Sequence, residues 1–139
     1  MPGSDAADHV TLTQQMYAAF ANRDVGALLS ALATDVEWSE PDNPLNPSAG
    51  TRRGHEGVLE WLRIGNASEE ILVLEPTRFI AGDDVVVVLG HMKCRARATA
   101  RTYESDFVHV VSFRNGELSR FQEFFDTYAA AEAFRPVRT

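Results

Sequence analysis

Apolar and polar positions divide this chain into a first part with a helical period and a second part with the period of strands. Between Asp8 and Arg23, Val10, Thr13, Tyr17 and Phe20 recur at the spacing of one helix face, and Asp8 is the expected N-cap. Asn22-Arg23-Asp24 interrupts this helix. Asp24 is placed to cap a second, short helix that runs to about Leu32 and buries Leu28, Leu29 and Leu32. Val36 to Glu40 alternates like a brief strand and stops at Pro41. Asn43, Pro44, Pro47 and Gly50 then predict a loop over 41–54, long for a small domain and of the kind that serves as a lid or binding segment. A third helix is expected from His55 to Arg63, with Val58, Leu59 and Leu62 on its buried side.

From there on the chain reads as strand. Ile71–Ile80 leads through Ala81-Gly82-Asp83-Asp84 into Val85–Ala98. Arg101–Phe113 follows, and Arg114-Asn115-Gly116 makes a hairpin turn into Glu117–Phe125. Asp126-Thr127 caps a terminal helix, Tyr128 to Phe134. Helices first and a strand meander afterwards define an α+β fold, with helices packed on a strongly curved antiparallel or mixed sheet. Long strands that curl around covering helices leave a conical pocket. Alternation along Arg101–Phe113 puts Tyr103, Phe107, His109, Val111 and Phe113 on the face toward the helices. The other face, with Glu104, Asp106, Val108, Val110 and Ser112, suits solvent or a subunit interface.

Composition narrows the picture. The 139 residues, 45% of them apolar, suit one domain with its core at about 8–134. No apolar run approaches the roughly 18 residues of a membrane span. Met1 to Asp8 lacks the basic and apolar regions of a secretory signal, so a cytoplasmic location is expected. The lone Cys94 excludes an intrachain disulfide, and packing in a strand is its expected role. A net charge of −7 argues against nucleic-acid binding. Lys93, Arg95, Arg97 and Arg101 form a local basic stretch, read as a solvated strand face.

Among residues capable of chemistry, His109 stands out as an imidazole on an apolar face, able to act as acid, base or donor near neutrality. Two carboxylates are its candidate partners. Glu40 ends the first strand at the edge of the long loop, and Asp126 follows Phe124-Phe125 at the end of the last strand. Partial desolvation there would raise a carboxyl pKa and make it a better proton acceptor. Asp126 is equally suited to capping the terminal helix, and Glu40 to a solvated strand end. A one-residue slip in the last hairpin turns Asp126 outward. Tyr17 either places a phenol at the pocket mouth or buries its ring, and Trp38 is expected in the cavity wall. His9, His55 and His91 lack acidic partners at metal-ligand spacing, and no nucleotide, zinc or nucleophile-elbow motif is present. Neither a cofactor nor a metal is expected.

The stretches Tyr17–Asp24, Asp35-Val36-Glu37-Trp38, Arg53–Val58, Tyr103–His109, Arg114-Asn115-Gly116 and Phe124-Phe125-Asp126-Thr127 together resemble the SnoaL-like polyketide cyclases and ketosteroid-isomerase-related proteins of the nuclear transport factor 2-like superfamily. The resemblance covers about residues 10–134. It implies a helical lid on a curved, cystatin-like sheet, usually in a homodimer formed through the sheet face. Glu40-Pro41 falls where ketosteroid isomerases carry their Asp-Pro general base, and His109 near their protonated, oxyanion-binding Asp, an arrangement well known for those enzymes. The isomerase tyrosine aligns nearer Met16 than Tyr17. Asp126 matches the acidic residue that SnoaL-type cyclases use for proton transfer.

The leading expectation is therefore a cofactor-independent isomerase- or cyclase-type enzyme that abstracts a proton α to a carbonyl of a mainly apolar molecule. Asp126 would be the base, His109 its partner or the enolate donor, and Glu40 a second acid/base. Tyr17, Trp38, Phe107, Val111 and Phe113 would hold the ligand. The alternative is a non-catalytic ligand-binding or dimerisation module. The geometry that separates the two is whether His109 and Asp126 point into one cavity within hydrogen-bond reach; if they face opposite sides of the sheet, the enzyme reading fails and the module wins.

Overall fold

The computed structural model describes residues 2–136, in the order α1 (Pro2–Ala21), α2 (Val25–Ala31), β1 (Leu32–Glu40), β2 (Gly50–Arg53), α3 (Gly54–Ser68), β3 (Glu69–Gly82), β4 (Val85–Ala96), β5 (Thr102–Arg114), β6 (Glu117–Phe125) and α4 (Thr127–Phe134). α1 and α3 outrun their sequence patterns, whereas α2 ends at Ala31 and Leu32, expected inside it, opens β1. α1 begins at Pro2, so Asp8 lies inside it and caps nothing, while Asp24 Oδ1 accepts from Ala27 N and caps α2 as expected. α3 continues to Ser68. Its buried face holds Val58, whereas Leu59 is 42% exposed, because Trp61 and Leu62 turn toward the core in its place. Part of the expected 41–54 loop is the short strand β2, which pairs antiparallel with β1.

The sheet is open and mixed, in the order β2-β1-β6-β5-β4-β3. All neighbours run antiparallel except β1 and β6, which pair in parallel and bring the first long strand beside the last. Ladder irregularities in β1/β6, β3/β4 and β5/β6 bend the strands, since an extra residue on one side of a pair increases local twist. Burial along β4 and β5 alternates strictly, and α1, α3 and α4 cover the buried face. Phe107, Val111, Leu118, Val36, Val58 and Leu28 are the fully enclosed centre of the core. Each such side chain contributes about 1.5–3 kcal/mol of burial. Asn115 and Gly116 both have positive φ, 53° and 78°, the backbone of the tight β5–β6 hairpin.

The outward face of β4, β5 and β6 carries Val87 opposite Val110, Leu89 opposite Val108, and Phe124 beside Val108. Beyond this apolar strip lies His91, bracketed by Asp106 at 3.0 Å and Glu104 at 2.8 Å. The three arginines of the basic stretch are spent on pairing: Arg95 and Arg97 meet Glu70, and Arg101 donates to the carbonyls of Glu132 and Arg135 at the end of α4. Among the described residues no helix is long and apolar enough to cross a membrane.

Candidate functional site

A cavity of about 60 Å³ lies between α1, α3 and the buried face of the sheet, lined among others by Tyr17, Trp38, Glu40, Glu69, His109 and Glu123. It adjoins a groove of about 770 Å³ between α1, α3 and β3, with Tyr17, Phe20, Trp61, Glu69 and Leu74 common to both. The inner cavity has room for only a few waters and opens into the groove.

His109 is fixed from both sides. Phe107 stacks on its ring at 4.1 Å and Phe121 packs obliquely at 4.7 Å. Gly90, opposite Phe107 on β4, makes this possible, because a Cβ there would stand 2.2 Å from Phe107 Cζ. The Tyr17 hydroxyl lies 2.6 Å from His109 Nδ1, and Glu123 Oε2 lies 2.7 Å from Nε2. Burial holds the imidazole pKa down at about 3, so the ring is neutral and has one N–H. With Glu123 ionised, only one direction satisfies both contacts: Tyr17 donates to Nδ1, and Nε2–H donates to Glu123. Burial, and to a lesser degree Glu123, pushes the Tyr17 phenol well above its ordinary value, which keeps it a donor.

Glu123 also meets Glu40. Burial pushes Glu40 up to about 8, and repulsion from Glu123 adds to the shift. Burial likewise pushes Glu123 up to about 7, against a hydrogen bond from Glu40 that lowers it. Both carboxyls are thus held toward the protonated form, and the contact between them favours the proton on Glu40 over Glu123. The loop after β1 secures Glu40. Ser48 Oγ donates to Glu40 Oε2 at 2.5 Å, Asn46 Oδ1 accepts from Ser48 N, and Asn43 Nδ2 donates to Thr127 O. This segment, expected as a lid, acts as a buckle on Glu40. The Trp38 and Trp61 rings sit 5.1 Å apart beside it, and the Trp61 indole N–H faces the Glu40 carboxyl, slightly opposing its upward shift.

Tyr17, Trp38, Glu40 and His109 thus come together as anticipated from sequence. Asp126 does not. It is exposed, its Oδ1 accepts from Ala129 N to cap α4, and its own N–H donates to Ser105 Oγ. The cause is a bulge. The hairpin pairs Phe113 with Leu118 but Ser112 with Arg120, leaving Ser119 as the extra residue. Beyond it every β6 side chain changes face, so Glu123 lies opposite His109 and Asp126 turns out. Glu123 was missed by sequence reasoning; its visible signal was that it alternates with Phe121 and Phe125. Phe107, Val111 and Phe113, expected as ligand contacts, sit behind the cavity wall instead. Phe107 backs His109, Val111 is fully buried, and Phe113 stacks on His9 at 4.2 Å. Burial pushes the Cys94 thiol up to about 12, which suits a packing role. No group of His, Cys, Asp and Glu among the described residues is arranged to hold a metal ion.

An open curved sheet, a helical cover and a polar chain inside the cavity define a protein of the nuclear transport factor 2-like and ketosteroid isomerase-like fold. The chain belongs to the SnoaL-like domain family, whose model matches residues 13–121. An NTF2-like protein from Burkholderia xenovorans LB400 is 33% identical over 94% of this chain and 98% of its own, with a TM-score of 0.84. TerC, co-crystallised with polyporic acid, is 30% identical over 91% of this chain and 98% of its own, with a TM-score of 0.80. A Xanthomonas campestris protein described as a candidate polyketide cyclase shares the fold at 19% identity, over 94% and 99% of the two chains, with a TM-score of 0.76. No curated protein matches the chain.

Proposed function

We propose that this protein is a cofactor-independent isomerase- or cyclase-type enzyme that moves a proton α to the carbonyl of a mainly apolar small molecule. The observation that carries the reading is the hydrogen-bonded series Tyr17–His109–Glu123–Glu40, buried in an aromatic cavity with two carboxyls whose pKa values lie near neutrality. In this scheme the α C–H bond breaks toward the carboxylate of the Glu40/Glu123 pair, and its electrons pass into the carbonyl as an enolate. Tyr17 lies nearest the mouth, and its one O–H would turn from His109 Nδ1 to the oxyanion as the enolate forms. The pair then returns the proton to another carbon, or the enolate carbon forms the new bond of a ring. The 30% identity to TerC, a relative crystallised with polyporic acid, supports a small organic ligand in the cavity.

The second reading is a ligand-binding module without chemistry. One observation favours it: His109 and Asp126 lie on opposite faces of the sheet, the outcome that ends the enzyme expected from sequence with Asp126 as base, so the enzyme proposed here stands on the Glu40/Glu123 pair alone. Deuterium uptake at the α-carbon of 2-tetralone in D2O, followed by NMR, separates the two. Wild-type protein should accelerate exchange, with the rate rising through about pH 7 to 8 as the pair ionises, and Glu123→Gln and Glu40→Gln should each lower it by roughly 100-fold. Binding of the ketone with no acceleration would leave the module. We further propose that the chain forms a homodimer through the apolar outer strip of β4, β5 and β6, which sedimentation velocity tests.

A further inference from the structure

Glu69 has no part in the acid/base series, yet it lines both the cavity and the groove. It is the first residue of β3, and Tyr103 on β5 donates to its Oε2 at 2.6 Å, which fixes the carboxyl toward the interior. The nearby guanidinium groups of Arg95 and Arg97 are taken by Glu70, on the opposite side of the strand. Glu69, Glu40 and Glu123 thus give the inner cavity three carboxyls, and no Lys or Arg is among the described residues that line it; Arg23, Arg63 and Arg97 line only the outer groove, with Asp24 and Glu70 beside them. The rest of the wall is rich in rings: Tyr17, Phe20, Trp38, Trp61, Tyr103 and Phe121. A desolvated carboxylate without a cation is costly, and ring faces attract positive charge. Together they are the complement of an ammonium group.

We infer that Glu69 and the surrounding rings form a subsite for a protonated amine, so that the ligand of this cavity is an apolar carbonyl compound bearing an ammonium group. The inference rests on the cavity being the ligand site, but not on turnover. Burial pushes the Glu69 carboxyl up to about 7, against the Tyr103 hydrogen bond that lowers it, with repulsion from Glu40 and Glu123 adding to the rise. A bound ammonium takes over the role of that proton and expels it. The titratable groups facing Glu69 across the cavity are Tyr17 of α1, Glu40 of β1, Cys94 of β4, Tyr103 and His109 of β5, and Glu123 of β6.

Three probes of similar shape test this by isothermal titration calorimetry at about pH 7: phenethylammonium, 2-phenylethanol and 3-phenylpropionate. The ammonium should bind the wild-type protein roughly tenfold or more tightly than the alcohol, and the carboxylate most weakly. Its binding enthalpy should vary with the ionisation enthalpy of the buffer, reporting proton release. In Glu69→Gln the ammonium should fall to within about threefold of the alcohol, whose own affinity should hold and so report an intact cavity. An alcohol that binds wild type as tightly as the ammonium overturns the inference and leaves the cavity reading standing. Failure of all three probes to bind overturns both. Should Glu69→Gln not fold, the wild-type series alone decides.

Discussion

At His109, two hydrogen bonds and the rings of Phe107 and Phe121 hold one imidazole with its proton on Nε2. The side chain is 3% exposed, and burial disfavours its cation more strongly than Glu40 favours it. A ring in this state orients its neighbours and passes a proton rather than storing one. Storage falls to Glu123 and Glu40, whose pKa values lie where a proton can be both taken and returned. Asp126, on the solvent side, has a different task. Asp126→Ala should remove the α4 cap at a cost of about 1 kcal/mol, seen as a Tm lower by about 3–4 °C, while ketone exchange stays within about twofold of wild type. A tenfold loss of exchange with unchanged Tm would return Asp126 to the site.

At the level of elements, β5 was legible in full, because a strict two-residue alternation survives in its sequence and its faces follow from counting. β6 was legible in extent but not in facing. Counting outward from the Asn115-Gly116 turn without a bulge sets Gln122 against His109 and points Asp126 inward; the extra Ser119 reverses both. No residue near it announces a bulge, since Ser119 is an ordinary strand residue and its hydroxyl simply bonds back to Ser112 O at 3.2 Å. β2 was hidden for another reason: four residues beside a turn-rich loop carry too little pattern, and their pairing with β1 exists only in three dimensions. The bulge has a second effect, turning Phe124 out to 49% exposure beside Val108. If that strip is the dimer contact, wild type should sediment as a dimer at micromolar concentration and Phe124→Asp as a monomer with unchanged circular dichroism. A wild-type monomer ends the proposal.

Over the whole molecule, the three acids of the cavity make stability depend on pH in an unusual sense. Glu40, Glu69 and Glu123 each keep a proton to higher pH in the folded state than in the unfolded chain, whose carboxyls ionise near 4.5. Their contribution is complete below that value and is lost as pH climbs through about 7 to 8. His109 acts in the opposite direction below 6.5, but it is one group against three. Tm should therefore fall by several degrees, about 5 °C, between pH 5.5 and 8.5, and Glu40→Gln should flatten the slope. A Tm that rises across that range would contradict the buried, uncompensated acids.

The parallel pairing of β1 with β6 has a consequence in time. Glu40 and Glu123 belong to the first and last long strands, and Trp38 finds its stacking partner Phe121 only across that seam. The contact closes a loop of some eighty residues, the kind of pairing that slows folding because chain entropy is spent before any contact repays it. The β3–β4–β5 meander, joined by short turns, can form before β6 docks. The carboxyl pair, and with it the floor of the cavity, assembles only when the chain's final strand slots in beside its first.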